Sequence, residues 1–351
     1  MRVRSSLQHF LVGTLAAAAV LFTTSARAAG WEDLLQKLYP AAKQEGEVIF
    51  NTERAEEVGG KEGIAQFQKR YPGIKVSFNG LAGAVLPSRV ILEAKTGHVT
   101  VDTFRSDPSR ATPLAEKDLL LKIDPAELTD QPVTAFFDNR FLKLSDHITN
   151  FAYNTAFVTA AARPKTYEDL LDPRWQRRLI LDARGGEIAH LLSAHIWDET
   201  KFWDFVNKLK AQRPIWTTRN TEAMVKLSSG EGYVGTGSYA AIEELKSQGA
   251  PVEFLFLSPS LAQVRGAAVL KQAAHPNAAK LFLGWLLSPE GLKARDRYAV
   301  STITPGTTLY ERAKAAGAEI TYEKSIEEVI ARDDVGTRIT DTWGVLTGVK
   351  N

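Results

Sequence analysis

Residues 220–257 read "NTEAMVKLSSGEGYVGTGSYAAIEELKSQGAPVEFLFL". Within them Gly230, Gly232 and Gly235 satisfy Gly-x-Gly-x-x-Gly, the pattern of a dinucleotide-binding turn. The pattern has chemical meaning only where a strand enters it and a helix leaves it, so that backbone N–H groups can meet a pyrophosphate. Here the order is reversed. "NTEAMVKLSSG" has helical spacing, with Asn220 or Thr221 as N-cap and Gly230 as the stop. "EGYVGTG" then reads as a strand, "SYAAIEELKSQGA" as a helix and "PVEFLFL" as a strand. The first two glycines precede the strand, so the fingerprint carries no nucleotide site. What remains is a strand-to-helix turn at Gly235-Thr236-Gly237-Ser238. Small residues there would let a ligand approach the backbone, and a helix N-terminus favours anions.

The alternation extends outward in both directions. "WEDLLQKLYPAAKQEG" is an amphipathic helix, "EVIFNT" a buried strand, and "GGKEGIAQFQKRYPGI" a helix stopped by Pro72-Gly73. "KVSFNG" and "VTVDTFRSD" are strands separated by the helix "PSRVILEAKTG", and "ATPLAEKDLLLKI" is a helix. "ITNFAYNTAFV" is a strand, and "TYEDLLDPRWQRRLILDARGG" a capped helix, a turn and a strand. The helices "GEIAHLLSAHIW" and "TKFWDFVNKLKAQ" lead to the strand "RPIWTT". "RGAAVLKQ" is a further strand, and the remainder is mainly helical. The pattern predicts an α/β chain built on mostly parallel sheet flanked by helices.

The N-terminus is of another kind. Arg2 and Arg4 precede an apolar run from Leu11 to Phe22 and the small-residue site Ala26-Arg27-Ala28. These are the parts of a cleavable signal peptide over residues 1–28, which predicts export to the periplasm. Without its three arginines the formal charge passes from +2 to −1, which points to no nucleic-acid or membrane-surface partner. The absence of cysteine excludes disulfides, thiol catalysis and thiolate metal sites.

In open α/β sheets, ligands bind beyond the carboxyl ends of the strands. Those ends hold Thr52 and Arg54, then Arg105 and Ser106, then Arg184, then Thr217 and Arg219, then Ser238 and Tyr239. Four of five ends bring an arginine, whose planar fork donates two parallel hydrogen bonds to a carboxylate or phosphate. These nine residues are the candidate ligand-binding set, for an anion. Glu53 and Asp107 are candidate partners of the arginines, and Trp216 reads as core.

The order "FNT", "FAYNTAFV", "RPKTYEDLLDPRWQRRLILDARGG", "SSGEGYVGTGSYAAIEELKSQGAPVEF" and "HPNAAKLFLGWLLSPEG" resembles the periplasmic solute-binding proteins of ABC importers. The likeness is to their type II, ferric-iron-transport branch and covers nearly the whole mature chain. It implies two α/β lobes joined by two hinge crossings, near Ile148–Asn154 and Leu257–Val264, with solute held in the cleft between them. The implied organisation is a first lobe over 29–149, a second over 150–260, and a return to the first over 261–351. It further implies a monomer that delivers its solute to an inner-membrane permease and needs no cofactor. Iron-binding members of the branch place adjacent tyrosines at the turn matching Ser238-Tyr239-Ala240, where only Tyr239 is present. A family histidine falls near Arg54, and a family acid falls in "GLAGAV", which has none. Fe3+ is therefore the alternative cargo. The main expectation is an organic phosphate, phosphonate, carboxylate or anionic iron chelate.

A secreted hydrolase is the second alternative. Glu187, His190, His195 and Asp198 are its best zinc candidates, but His190 and His195 stand five apart and no His-Glu-x-x-His occurs. Gly237-Ser238-Tyr239-Ala240 lacks the second glycine of a nucleophile elbow. No catalytic residue or metal ligand is assigned, and the expectation is binding without chemistry.

Overall fold

Apolar spacing and helix stops organise the first half of the chain. In a computed structural model that describes residues 30–52, 55–81, 85–298, 301 and 303–345, α1 spans Trp31–Glu45 and ends at Gly46, whose φ of 74° suits glycine. The expected signal peptide, Glu53 and Arg54 lie outside the described residues. Alternation then follows as β1 (Glu47–Asn51), α2 (Gly60–Arg70), β2 (Lys75–Asn79), α3 (Leu86–Lys95), β3 (Thr103–Ser106) and α4 (Pro108–Glu116). β1 pairs in parallel with both β2 and β3. After the short β4 (Ala135–Phe136) comes β5 (Phe141–Asn154), the longest strand.

The second half repeats the plan with β6 (Leu179–Asp182), α5 (His190–Ser193), α6 (Glu199–Ala211), β7 (Ile215–Thr217), α7 (Asn220–Ser229), β8 (Val234–Ser238), α8 (Tyr239–Ser247) and β9 (Val252–Leu255). β6 pairs in parallel with β7 and β8. The chain continues through β10 (Ser260–Val269), α9 (Pro276–Leu287), α10 (Pro289–Arg295), α11 (Thr308–Ala315), β11 (Ile320–Tyr322) and α12 (Ile326–Trp343).

One hydrogen-bonded path runs β2-β1-β3-β10-β5-β8-β6-β7. Its middle is antiparallel. β5 pairs with β10 from Leu142 to Ile148, then with β8 and β9 from Thr149 to Asn154. One strand thus belongs to two sheets, and β10 runs back beside it and on to β3. Separate cores lie on either side. Phe50, Phe67, Phe282 and Trp285 centre one, with the Phe67 and Phe282 rings 4.9 Å apart. Tyr167, Trp197, Phe205 and Trp343 belong to another.

Two readings need correction. The segment after Thr166 forms two 3-10 turns, Glu168–Leu171 and Pro173–Trp175, in place of one helix. Pro173 keeps Asp172 extended, and the Asp169 and Asp172 carboxylates accept backbone N–H groups that a helix would have used. "GEIAHLLSAHIW" yields only the single turn α5, closed by His195 at φ 55°. The last segment packs on both halves, with Ile326 at the start of α12 against the core around Phe104 and Phe141. Leu309 of α11 enters the core around Ile242, and Val335, Ile339 and Trp343 of α12 enter that around Trp197. α12 therefore begins against the first half and ends in the second.

Candidate functional site

The reading of "GEGYVGTGSY" holds at this level of detail. Gly230 caps α7 at φ 81°, Gly232 precedes β8, and only Ser238 sits at the strand-to-helix turn, where it caps α8. The glycines of the turn serve packing, however, and do not open the backbone to a ligand. A Cβ on Gly235 would lie 3.1 Å from Ile180 Cβ, and one on Gly237 3.1 Å from Ile242.

The candidate residues stand at strand ends on either side of the central β10–β5 pair. In the first half, Thr52 is buried beyond β1, its N–H donating to the Asn79 carbonyl. Arg105 lies at the end of β3 with Nη2 3.5 Å from Ser145 Oγ of β5. Ser106 Oγ donates to the Asp107 carbonyl. Asp107 itself caps α4 and pairs with Arg110 at 3.2 Å. Burial would raise its carboxyl, but Arg265 and Arg110 outweigh that and hold it below the usual range. Arg54 lies outside the described residues.

In the second half the set divides. Arg184 folds back on buried Asp182, Nε to Oδ1 at 2.9 Å and Nη2 to Oδ2 at 2.5 Å, and this hydrogen-bonded partner raises its pKa. About half its side chain stays exposed. Thr217 is buried and donates to the Leu181 carbonyl. Arg219 is exposed at the start of α7 and has no ion-pair partner among the described residues. Ser238 is 8% exposed and its hydroxyl makes no cap bond, leaving a buried polar group at a helix N-terminus.

Tyr239 turns away. It is 1% exposed, with its ring 5.3 Å from Phe254 and 5.6 Å from Phe256. Burial, then the Glu243 charge, pushes its hydroxyl up to about 12, against the pull of the neighbouring Arg312. A phenol so placed is a poor source of the phenolate oxygen that Fe3+ prefers. Trp216 packs on Trp343, as expected of core.

Nothing in the sequence pattern marked the polar groups at the crossings. Asn150 Nδ2 donates to the Leu257 carbonyl at 2.9 Å and to Ser260 Oγ at 2.8 Å. The Pro259 carbonyl accepts from Tyr167 Oη at 3.0 Å and lies 2.8 Å from His190 Nε2. Burial, despite that hydrogen bond, lowers His190 to about 4, so it is neutral at pH 7 and Nε2 carries the proton it donates. Glu187 is fully buried, neither oxygen has a hydrogen-bond partner among the described residues, and burial, with Asp182 adding repulsion, pushes it up to about 8. The zinc candidates lie apart: His190 faces Pro259, His195 is exposed, and Asp198 caps α6 by accepting from Lys201 N–H. Among the described residues no three His, Asp or Glu side chains are arranged to hold a metal.

Comparisons with known proteins agree with this architecture. Residues 52–293 match the family described as bacterial extracellular solute-binding protein. An uncharacterized Haemophilus influenzae protein is 29% identical over 133 residues, 36% of this chain and 38% of that one, so the match spans well under half of that relative. The Fe(3+)-binding periplasmic protein of Serratia marcescens is 23% identical over 72% of this chain and 76% of its own. Among solved structures, iron-bound HitA from Pseudomonas aeruginosa superimposes with a TM-score of 0.64 at 21% identity, covering 85% of this chain and 99% of that one. The substrate-binding protein of an ABC transporter from Agrobacterium tumefaciens gives 0.69 at 17% identity, covering 87% and 97%. The expected two-lobe, type II periplasmic binding fold is the one shared with these structures. With more than half its length matched by the family, the chain belongs to the bacterial extracellular solute-binding proteins.

Proposed function

We propose that this chain is the periplasmic substrate-binding component of an ABC importer and that it captures a small anionic solute between its halves. The carrying observation is the charge balance at the strand ends. Arg105 stands on one side of the central strands and Arg219 on the other, while the acids nearby, Asp107 and Asp182, are engaged by Arg110 and Arg184. Arginine side chains therefore stand on both sides to meet an anion. Thr52 and the Ser238 hydroxyl supply secondary hydrogen bonds, Arg54 belongs to the same set, and Ser106 and Thr217, whose hydroxyl protons are given to the Asp107 and Leu181 carbonyls, shape the strand ends beside them.

The mechanism is binding alone. A solute that touches both halves stabilises the closed arrangement, because only there are both sets of contacts made. The closed form then meets the inner-membrane permease. The chain works as a monomer after removal of residues 1–28, and no catalytic residue, resident metal or cofactor enters the cycle.

Two similar proteins carry iron in their names, which keeps iron in view as cargo. Bare Fe3+ is disfavoured by the buried phenol of Tyr239 and by the guanidinium groups that would stand beside a trivalent cation. An anionic chelate suits the same arginines. Thermal unfolding of the chain from Ala29 onward, with sugar phosphates, phosphonates, di- and tricarboxylates, polyamines, and ferric iron with and without citrate, separates these cases. A ligand at ~100 times its Kd adds about 2.7 kcal/mol of stability. Stabilisation by one anion class is expected. Stabilisation by polyamines or by free ferric iron alone would overturn the anion reading.

A further inference from the structure

The last residue of α10, Arg295, is 1% exposed and has no carboxylate partner among the described residues. Its guanidinium is held entirely by carbonyl oxygens. Nε donates to Gly291 at 3.3 Å, Nη1 and Nη2 to Leu144 at 3.3 Å, and Nη2 to Leu286 at 2.6 Å. The C-terminal end of α9, where Leu286 lies, offers only a fraction of a negative charge in return. A buried cation in this state is costly, since carbonyl dipoles satisfy its hydrogens without cancelling its charge.

Its position gives that charge a direction. Leu144 and Ser145 are consecutive on β5, the strand that passes between the halves. Arg295 grips the carbonyl of the first, and Arg105 lies 3.5 Å from the hydroxyl of the second. The two guanidinium groups are near enough that Arg105, after burial itself, helps push Arg295 down to about 9, still protonated at pH 7. Between charges sheltered from water the field is screened weakly by salt.

We propose that Arg295 is a specificity-determining residue that never touches the solute: its buried, acid-free charge behind Arg105 biases the first-half wall of the cleft toward anions, more strongly the higher their charge. The inference rests on the anion reading above and assigns one source of it. A purely mechanical role, clamping β5 to the α9–α10 junction, would affect all solutes alike.

The test compares Arg295→Met and Arg295→Lys with wild type by calorimetric titration of citrate and inorganic phosphate at pH 7, in low and in high salt. Methionine is expected to cost citrate at least ~10-fold in affinity and phosphate less, with the loss persisting in high salt. Lysine, which keeps the charge, is expected to stay within ~3-fold of wild type. The same citrate affinity in a folded Met variant, or equal losses for both anions that lysine does not rescue, overturns the inference. Should the Met variant not fold, Arg295→Gln keeps donors for the carbonyls and carries the same comparison. If the wild type binds neither these anions nor any in the thermal panel, the anion reading itself fails and this inference with it. Binding by wild type and neutral variants alike defeats this inference only.

Discussion

At the scale of single residues, the candidate site separates into groups that are available and groups already committed. Arg219 is exposed and unpaired among the described residues, so its removal should act on binding and not on folding. Arg219→Ala is expected to weaken binding of the stabilising anion by more than ~1 kcal/mol while leaving apo stability within ~0.5 kcal/mol. Calorimetry with parallel thermal melts checks both halves of that statement. Unchanged affinity would remove Arg219 from the site. Glu187 and His190 make opposite pH predictions. Glu187 is raised from 4.5 to about 8, so the native state holds a proton that the unfolded chain has lost, and stability falls as pH climbs through that window. His190 is lowered from 6.5 to about 4, so the unfolded chain binds the extra proton and stability falls as pH drops below 6.5. The two slopes oppose each other between 4.5 and 6.5, leaving the Glu187 slope alone from 6.5 to about 8. Urea melts across pH should find Glu187→Gln flatter above pH 6.5, and His190→Gln steeper between 4.5 and 6.5, where the Glu187 slope then runs unopposed. A Glu187→Gln profile identical to wild type above pH 6.5 would show that Glu187 ionises normally in the fold.

At the scale of elements, α12 has the largest unforeseen role. Its Ile339 lies over the turn after β6, where a Cβ on Gly185 would stand 2.6 Å from Ile339 Cγ2 and where φ is +60°. Gly185→Ala should therefore cost roughly 2 kcal/mol or more, from left-handed strain and overlap together. Adding Ile339→Ala should recover the overlap part only, a non-additivity readable in a double-mutant cycle. One turn further on, at the end of the helix, Trp343 is 3% exposed, packs against Trp216 with ring centroids 4.8 Å apart and donates Nε1–H to the Val206 carbonyl at 3.1 Å. Trp343→Ala should lose ~3–5 kcal/mol, the scale of a large buried aromatic. Denaturant melts resolve either value. Helical spacing announced α12 as a helix but could not name its partner. Val335, Ile339 and Trp343 fit any apolar surface, and the choice of the second half follows from where the chain re-emerges after α10.

At the scale of the whole molecule, β5 and β10 run between the halves, and α12 reaches from Ile326 against the core around Phe104 to Trp343 in the core around Trp197. Relative motion of the halves must therefore be absorbed in β5, β10 and the C-terminal segment that packs on both. Because the chain has no cysteine, spin labels can be placed at Lys69→Cys and Lys208→Cys, exposed positions of α2 and α6. The distance between them should shorten or narrow in distribution when the stabilising anion is added. An anion that raises the melting temperature without moving this distance would mean that binding does not draw the halves together.

Local order was legible from residues alone. Apolar periodicity with its Gly and Pro stops located most helices and strands, because each depends on contacts within a few residues. The sequence also revealed that the Gly-x-Gly-x-x-Gly match was accidental, since Gly230 closes a helix that local spacing already defines. The strand ends could be named for the same reason. Whether a side chain at such an end is free or committed depends on atoms distant in sequence, and that only the tertiary structure decided. Arg184 is held by the buried Asp182, Tyr239 by Phe254 and Phe256, and Arg295 by carbonyls 151 and 9 residues away on Leu144 and Leu286. Periodicity shows which way a residue faces along its own element. It holds no information about what stands opposite, and the chemistry of a binding cleft lies in that opposition.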